Sequence, residues 1–455
     1  MAAQESPAAV IERVRASPHR SIKVAFADID GVLRGKYLHK DKFLSAADGG
    51  GFGFCNVVFG WDCGDVCYDN ARYTGWHTGY PDAAMRIDLA TERAVPWDGG
   101  IPFFLGEAVD AAGAPLAVCP RQTLKGVIER LRKAGYAAKV GMEFEWFNFA
   151  EDPQSLADKR HVDPRPLTPG MFGYSLVRMA RNQPFFKAML DECADFRIPL
   201  EGLHTETGPG VFEAAILYSD ALEAADRATL FKTAVKEIGM RFGIMPTFMA
   251  KWNATLPGCS GHCHQSLWGA DGKTNLFHDD ADPLKMSALY RRWLAGLMHC
   301  LPEILPLMAP TVNSYKRLVD GYWAPTKPTW GVDNRTVAFR HIPGSAKSTR
   351  LEARVPGSDV NPYLAVAACL ASGLYGLTHD LPLADPVQGS GYLSDAGRLP
   401  RDLGEATRRM ASSSIARELF GAAFVDHFVA TREWEWRQYQ AAVTSWELQR
   451  YFEVI

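Results

Sequence analysis

Between residues 137 and 147 the chain alternates strictly. Val140, Met142, Phe144 and Trp146 share one parity, and Glu143 and Glu145 share the other. Strand side chains point to opposite faces with a period of two, so the pattern predicts a strand with one core face and one face carrying two carboxylates. Like charges side by side on an otherwise apolar strand are unfavourable unless a cation lies beside them. The ordinary alternative is a half-exposed strand with a solvated acidic edge. Three later stretches that gather polar groups on one face weigh against it.

The rest of the chain divides around this strand. Residues 1–20 read as a short amphipathic helix, with Val10, Ile11 and Val14 on one face. Residues 21–29 alternate through Ile22, Val24 and Phe26, Asp30-Gly31 marks a hairpin turn, and 32–37 return. Gly49-Gly50-Gly51 is a flexible break, and residues 55–60 are strand-like. A mixed, mostly β segment continues to about Val118, and a boundary is expected near Pro120, dividing residues 1–119 from 120–455. Leu124, Val127, Ile128 and Leu131 follow helical spacing, with Gly135 as a stop. Further helices are predicted at 220–242, 284–300 and 362–378. The fold class is α+β: a small β-rich domain followed by a large domain of strands and helices.

Composition narrows the function. The 455 residues exceed one ordinary core. Their 47% hydrophobic and 22% charged content is that of a soluble globular protein. A net charge of −3 without a long basic run argues against nucleic acid as a partner. No apolar run reaches membrane-span length, and the N-terminal residues lack a signal peptide's apolar stretch, so neither a membrane nor export is expected. Nine scattered cysteines suggest free thiols in a reducing cytoplasm. Cys63-x-x-x-Cys67 is a weak zinc or redox candidate, since no second pair matches it.

The three polar stretches are distinct. In 204–213, Gly208-Pro209-Gly210 breaks any helix, so two extended arms bring Glu206 and Glu213 toward a common point. In 258–268, His262, His264 and Ser266 share a face while Cys263 points away. In the third, Arg350, Glu352 and Arg354 share a face while Leu351, Ala353 and Val355 point into the core, and Arg335, Arg340 and Lys347 lie nearby. Surface ion pairing would account for this last group, but guanidinium groups around one acid on a core-like strand suit an anionic ligand better. Five glutamates and a histidine suit two hard divalent ions, Mg²⁺ or Mn²⁺, with the basic groups holding a polyphosphate. No Walker-type loop is present. Phosphoryl transfer by positioning and charge neutralisation follows.

In combination these motifs resemble the glutamine synthetase family from about Val24 onward. They are Gly141-x-Glu143-x-Glu145-Trp146, Glu206-x-Gly208-Pro209-Gly210-x-x-Glu213, Ser260-Gly261-His262-x-His264-Gln265-Ser266-Leu267, Asn313-Ser314-Tyr315-Lys316-Arg317-Leu318, and Asn334-Arg335 through Arg340 to Arg350-Leu351-Glu352-Ala353-Arg354. The resemblance implies an N-terminal β-grasp domain and a catalytic domain with a curved antiparallel sheet flanked by helices. It also implies a homo-oligomer of stacked rings, a dodecamer, in which a neighbour completes each active site. By resemblance, Glu145, Glu206 and Glu213 would hold one metal ion, and Glu143, His262 and Glu352 the other. His264, Ser266, Arg335, Arg340, Lys347 and Arg350 would contact ATP or its transferring phosphoryl group, and Arg317 and Arg354 the carboxylates of glutamate. Asp62, in Gly60-Trp61-Asp62, falls where the family carries the aspartate that deprotonates incoming ammonium across the interface, with Tyr174 lining the same pocket. Glutamate would attack ATP, and an amine would displace phosphate from the resulting acyl phosphate.

Two departures stand out. Where ammonia-using members read Gly-Tyr-Glu-Ala-Pro, this chain reads Gly321-Tyr322-Trp323-Ala324-Pro325, and Gly258-Cys259 replaces the family's Asn-Gly. Trp323 offers π and apolar surface in place of a carboxylate. The reading is an ATP-dependent ligase joining glutamate to a small substituted amine: an alkylamine, polyamine or aromatic amine. The alternatives are an ammonia-using glutamine synthetase and a non-catalytic ring-forming homologue.

Overall fold

Alternation in the first part of the chain yields a five-stranded sheet in the computed structural model, which describes residues 6–455. Strands β1 (Ser21–Ala27), β2 (Leu33–His39), β3 (Phe52–Cys55), β4 (Asp82–Val95) and β5 (Ile101–Val109) lie in the order β2-β1-β5-β4-β3. β1 and β5 are parallel; the other neighbours are antiparallel. Ile22, Val24 and Phe26 are buried, as their alternation requires. The expected N-terminal helix spans Pro7–Ala16 and buries Val10 and Val14. The 55–60 segment differs from expectation. The strand ends at Cys55, and Asn56–Phe59 is a 3₁₀ turn that buries Asn56, Val58 and Phe59. The Thr74 hydroxyl donates to Asn56 Oδ1 at 2.6 Å, a tertiary contact that rewards the turn over an extended run. A three-residue apolar run, Val57 to Phe59, cannot announce that choice by periodicity.

The second sheet carries the acidic strand at its middle. It comprises β6 (Tyr136–Phe149), β7 (Leu200–Thr205), β8 (Val211–Ile216), β9 (Ser219–Asp220), β10 (Met245–Thr247), β11 (Gly261–Gly269), β12 (Trp330–Val332), β13 (Phe339–Ile342) and β14 (Arg350–Ala353). The main path is β12-β13-β14-β11-β6-β8-β7, with β9 and β10 also pairing to β6. All its pairings are antiparallel except β12 with β13. Val140, Met142, Phe144 and Trp146 are buried, and Phe144 and Trp146 pack on Phe231, Phe248 and Phe212. Helices occupy Ala221–Met240, Ala288–Ile304 and Pro362–Thr378, where the apolar spacing places them. Among the described residues no helix is long and apolar enough to cross a membrane.

The two sheets share one core. Ala25 and Leu105 of the small sheet, with Ile29 in the turn after β1, join the same apolar cluster as Leu124, Met142 and Leu230. A buried charge network also ties them. Arg121, near the start of the helix Pro120–Lys133, pairs with Asp88 and Glu107 of the small sheet and with Asp226 of the helix behind β6. A buried guanidinium survives in such a place only with this many acceptors.

Because the buried face of β6 fixes where its acidic face lies, truncating that face should be severe. Phe144→Ala is expected to destabilise the protein by about 3–5 kcal/mol, the range for deleting a buried phenylalanine. Denaturant unfolding midpoints would measure it, and a midpoint equal to that of the parent would contradict this packing.

Candidate active site

Antiparallel register converts the separate motifs into rows across the sheet. Glu143 on β6 lies opposite His262 on β11, and Glu145 lies opposite Glu213 on β8. Glu213 in turn faces His204 on β7, while His264 on β11 faces Glu352 on β14, which faces Arg340 on β13. The period of two, applied to six strands at once, puts all of these groups on the face away from the core.

The acids are crowded beyond what the protein alone compensates. His262 Nδ1 lies 3.1 Å from Glu143 Oε1 and 3.3 Å from Glu352 Oε1, and His204 Nε2 lies 3.7 Å from Glu213 Oε1. One oxygen of Glu145 accepts from the Ser260 backbone N–H at 2.8 Å. Burial, together with Glu143, Glu145, Glu206 and Glu352, pushes the Glu213 carboxyl up to about 10. Glu352 is also buried, but His262 and Arg354 bring it down to about 2. His262 Nε2, His264 Nε2 and Glu206 Oε2 are buried with no hydrogen-bond partner in the protein. Ligand atoms of His204, Glu206 and Glu213 fall within 4.8 Å of one another, as do those of Glu143, His264 and Glu352. Carboxylates that repel one another, imidazoles and unsatisfied polar atoms at this spacing fit divalent cations with oxygen and nitrogen ligands.

The two histidines of β11 differ in role. Arg350 Nε donates to His264 Nδ1 at 3.3 Å, so the neutral ring carries its proton on Nε2; although His264 lies within ligand distance of Glu143 and Glu352, it presents a donor there and leaves His262 as the ligating imidazole of the pair. Burial, reinforced by Arg354, lowers the His262 pKa and favours the neutral form that ligates metals.

Two cavities meet at Glu143. One, of about 300 Å³, is lined by Lys139, His264, Ser266, Trp268, Lys347 and Arg350 among others. There Trp268 Nε1 donates to Ser266 Oγ at 2.8 Å, and Lys139 Nζ lies 4.8 Å from the Trp268 ring. The other, of about 400 Å³, contains Glu145, Glu206, Glu213, His262 and Glu352, with Arg317, Arg335, Arg340 and Arg354 on its wall. Arg340 and Arg354 both pair with Glu352, so the ion pairing considered from the sequence is present, but buried within the site. Arg317 spends two donors on the carbonyls of Val355 and Arg354. Arg335 is exposed at the mouth.

Tyr174 and Trp323 stand at the rim of this second cavity, 68% and 60% exposed. Both hold left-handed backbone, with φ of 56° and 62°, a conformation that aromatic residues adopt at a cost and that concentrates at functional sites. Asp62 lies outside both cavities of its own chain, where Trp434 Nε1 donates to its carboxylate at 2.9 Å. Cys63 and Cys67 join no metal-sized group among the described residues, and burial pushes the Cys63 thiol up to about 11, away from the ligating thiolate. Sequence reasoning missed His204. Its signal was the His-x-Glu alternation with Glu206, the same pattern that marks β6 and β11.

Residues 117–451 match the family described as glutamine synthetase, catalytic domain. Type-1 glutamine synthetase 2 of Dictyostelium discoideum is 52% identical over 451 residues, covering 98% of this chain and 86% of that protein. Glutamate–isopropylamine ligase of a Pseudomonas species is 36% identical, covering 96% and 95%. A solved structure of GmaS in complex with ADP superposes with a TM-score of 0.84 at 28% identity, covering 97% of this chain and 99% of that one.

The crowding has a measurable consequence. Mg²⁺ or Mn²⁺ should raise the thermal midpoint, by the equivalent of about 2.7 kcal/mol at a hundredfold excess over Kd. At pH 7 the metal-free protein must take up a proton on Glu213 to fold, so Glu213→Gln, neutral without it, should melt higher than the parent in chelator and gain less from metal. A parent whose melting ignores both ions would contradict the assignment.

Proposed function

The chain belongs to the glutamine synthetase family of ATP-dependent carboxylate–amine ligases, and from that premise we propose that it joins the γ-carboxylate of glutamate to a substituted amine. The observation that carries the amine is Trp323, on the rim of the acidic cavity, where ammonia-using members carry a glutamate. The full set of acidic, imidazole and guanidinium groups around that cavity argues against a non-catalytic homologue.

The family uses ATP and divalent metals. Here Glu145, Glu206 and Glu213, with His204 beside them, would hold one ion, and Glu143, His262 and Glu352 the other. When bound, the ions neutralise phosphate charge. His264 Nε2–H, Ser266, Lys347 and Arg350 would hold ATP in the smaller cavity, with the γ-phosphoryl group directed past Glu143. Arg335 and Arg340 would face that group and stabilise charge as it transfers to glutamate, while Arg317 and Arg354 hold the substrate's carboxylates. Asp62 of a neighbouring subunit in the ring would take the proton from the attacking nitrogen, and Tyr174 would line its approach. The γ-glutamyl phosphate so formed must be kept from water until the amine arrives.

Trp323 cannot accept a proton or attract a small cation as a carboxylate does. A substituent of a few carbons against it gains about 2 kcal/mol, on the order of thirtyfold in specificity. The name of the 52% identical relative favours a second reading, ammonia-using glutamine synthesis. Phosphate release with glutamate and ammonia, isopropylamine, a polyamine or aniline separates the two. The parent should show its highest kcat/KM with a substituted amine, and Trp323→Glu should move the ranking toward ammonia. A parent that uses ammonia best, with the ranking unchanged in the variant, returns the protein to glutamine synthesis.

Assembly is open to a separate test. Asp62→Ala and Arg317→Ala proteins, mixed under conditions of subunit exchange, should recover part of the activity that each lacks. Full activity from an isolated monomer would rule out a shared site.

A further inference from the structure

Trp323 occupies the outer turn of a loop that has little beneath it. The segment leaves the short helix Ser314–Arg317, turns through Gly321 at φ 85°, and returns through buried Ala324 and Thr326. Below its stem lies a cavity of about 390 Å³ bordered by Tyr315, Leu318, Val319 and Leu399. The returning arm, Ala324 to Thr326, is packed, but the outgoing arm through Leu318, Val319 and Asp320 is only partly covered, so close packing does not hold it as it holds β6 and β11.

Tethers do so instead. Thr326 Oγ1 donates to Asp320 Oδ1 at 2.6 Å, closing the five intervening residues into a ring. Arg398 approaches the same carboxylate with two nitrogens, at 3.0 Å to Oδ2 and 3.1 Å to Oδ1, a bidentate arrangement of fixed geometry. The Leu399 N–H donates to the Thr326 carbonyl at 2.9 Å, so the strap carrying Arg398 is fastened to both sides of the neck. Farther out, Lys251 Nζ lies 4.1 Å from the Tyr322 ring. Apart from Gly321, Trp323 is the residue of this loop that is both left-handed and mostly exposed. Its backbone would relax to a commoner conformation if the neck opened.

The geometry points to Asp320 and Arg398 as positioning residues that hold Trp323 at the rim of the acidic cavity and thereby set the preference among amines. This rests on the reading of Trp323 given above. Neither residue touches the cavity that holds the acids, so their effect runs through the loop. Thr326 and Arg398 hold the Asp320 carboxyl below the ordinary range, which keeps the clasp charged at neutral pH. The clasp is partly open to solvent, with 43% of the Asp320 side chain and 41% of Arg398 exposed, so its removal should leave the core standing.

The test uses full-length Asp320→Ala, Asp320→Asn and Arg398→Ala, with isopropylamine and aniline as amines. Hydrogen exchange of residues 319–326 is followed alongside separate KM values for amine, glutamate and ATP. Asp320→Ala and Arg398→Ala should quicken exchange in the loop and raise the amine KM about tenfold, inside the roughly thirtyfold that a small buried apolar group provides. The KM values for glutamate and ATP should stay within about twofold. Asp320→Asn keeps an acceptor for Thr326 and should recover part of the loss. Unchanged exchange, or three KM values rising together, overturns the proposal. So does a loosened loop with an unmoved amine KM, in an enzyme whose parent prefers substituted amines. A parent that prefers ammonia sinks the reading of Trp323 itself and this consequence with it.

Discussion

Repulsion among buried carboxylates is the constraint on which the structure turns. Glu143, Glu145, Glu206, Glu213 and Glu352 converge from four segments of chain onto one face of one sheet. Hydrophobic burial on the opposite face holds them there. Phe144 and Trp146 cannot leave the core without β6 losing its register, and a one-residue slip would exchange the acids for the aromatics. The sheet thus supplies the free energy that keeps like charges together, and the unsatisfied oxygens and imidazole nitrogens mark where divalent cations would relieve it on the proposed reading. Arg340 and Arg354 compensate only Glu352, at the edge of the cluster; Glu213, deeper among the acids, has no such guanidinium partner, and burial with the neighbouring carboxylates pushes it up.

Reaction machinery and selectivity occupy different kinds of structure. The acids other than Glu206, both β11 histidines, Arg340 and Arg350 sit on strands, where position is fixed by backbone pairing and core packing; Glu206 directly follows β7. Tyr174, Trp323 and Asp62 sit on loops, where position depends on a few hydrogen bonds: the Tyr174 N–H to the Thr205 carbonyl, Trp434 Nε1–H to Asp62, and the Asp320 neck for Trp323. On the proposed reading, such a scaffold would change its amine without disturbing phosphoryl transfer, because the loops can vary while the strands cannot.

Much of this was legible in the sequence for one reason: period two is a local property. The strand around Glu143 and Glu145, the shared face of His262, His264 and Ser266, and the arms carrying Glu206 and Glu213 all follow from alternation and turn chemistry. The same locality hid the rest. The 3₁₀ turn at Asn56–Phe59 depends on Thr74, the Arg121 network gathers residues from four separate elements, and Arg398 reaches Asp320 across 78 positions. His204 is different. Its alternation with Glu206 was readable, but its partner Glu213 is recognised only once β7 and β8 are paired.

The central claim is that this cavity activates a carboxylate by phosphorylation before an amine replaces the phosphate. Glutamate labelled with ¹⁸O in its γ-carboxylate tests it directly, by mass analysis of the phosphate released during amine-dependent turnover. The account predicts one ¹⁸O atom in each phosphate formed, because the oxygen bridging carbon and phosphorus leaves with phosphorus. Phosphate formed without label, at a rate matching amide formation, would contradict it.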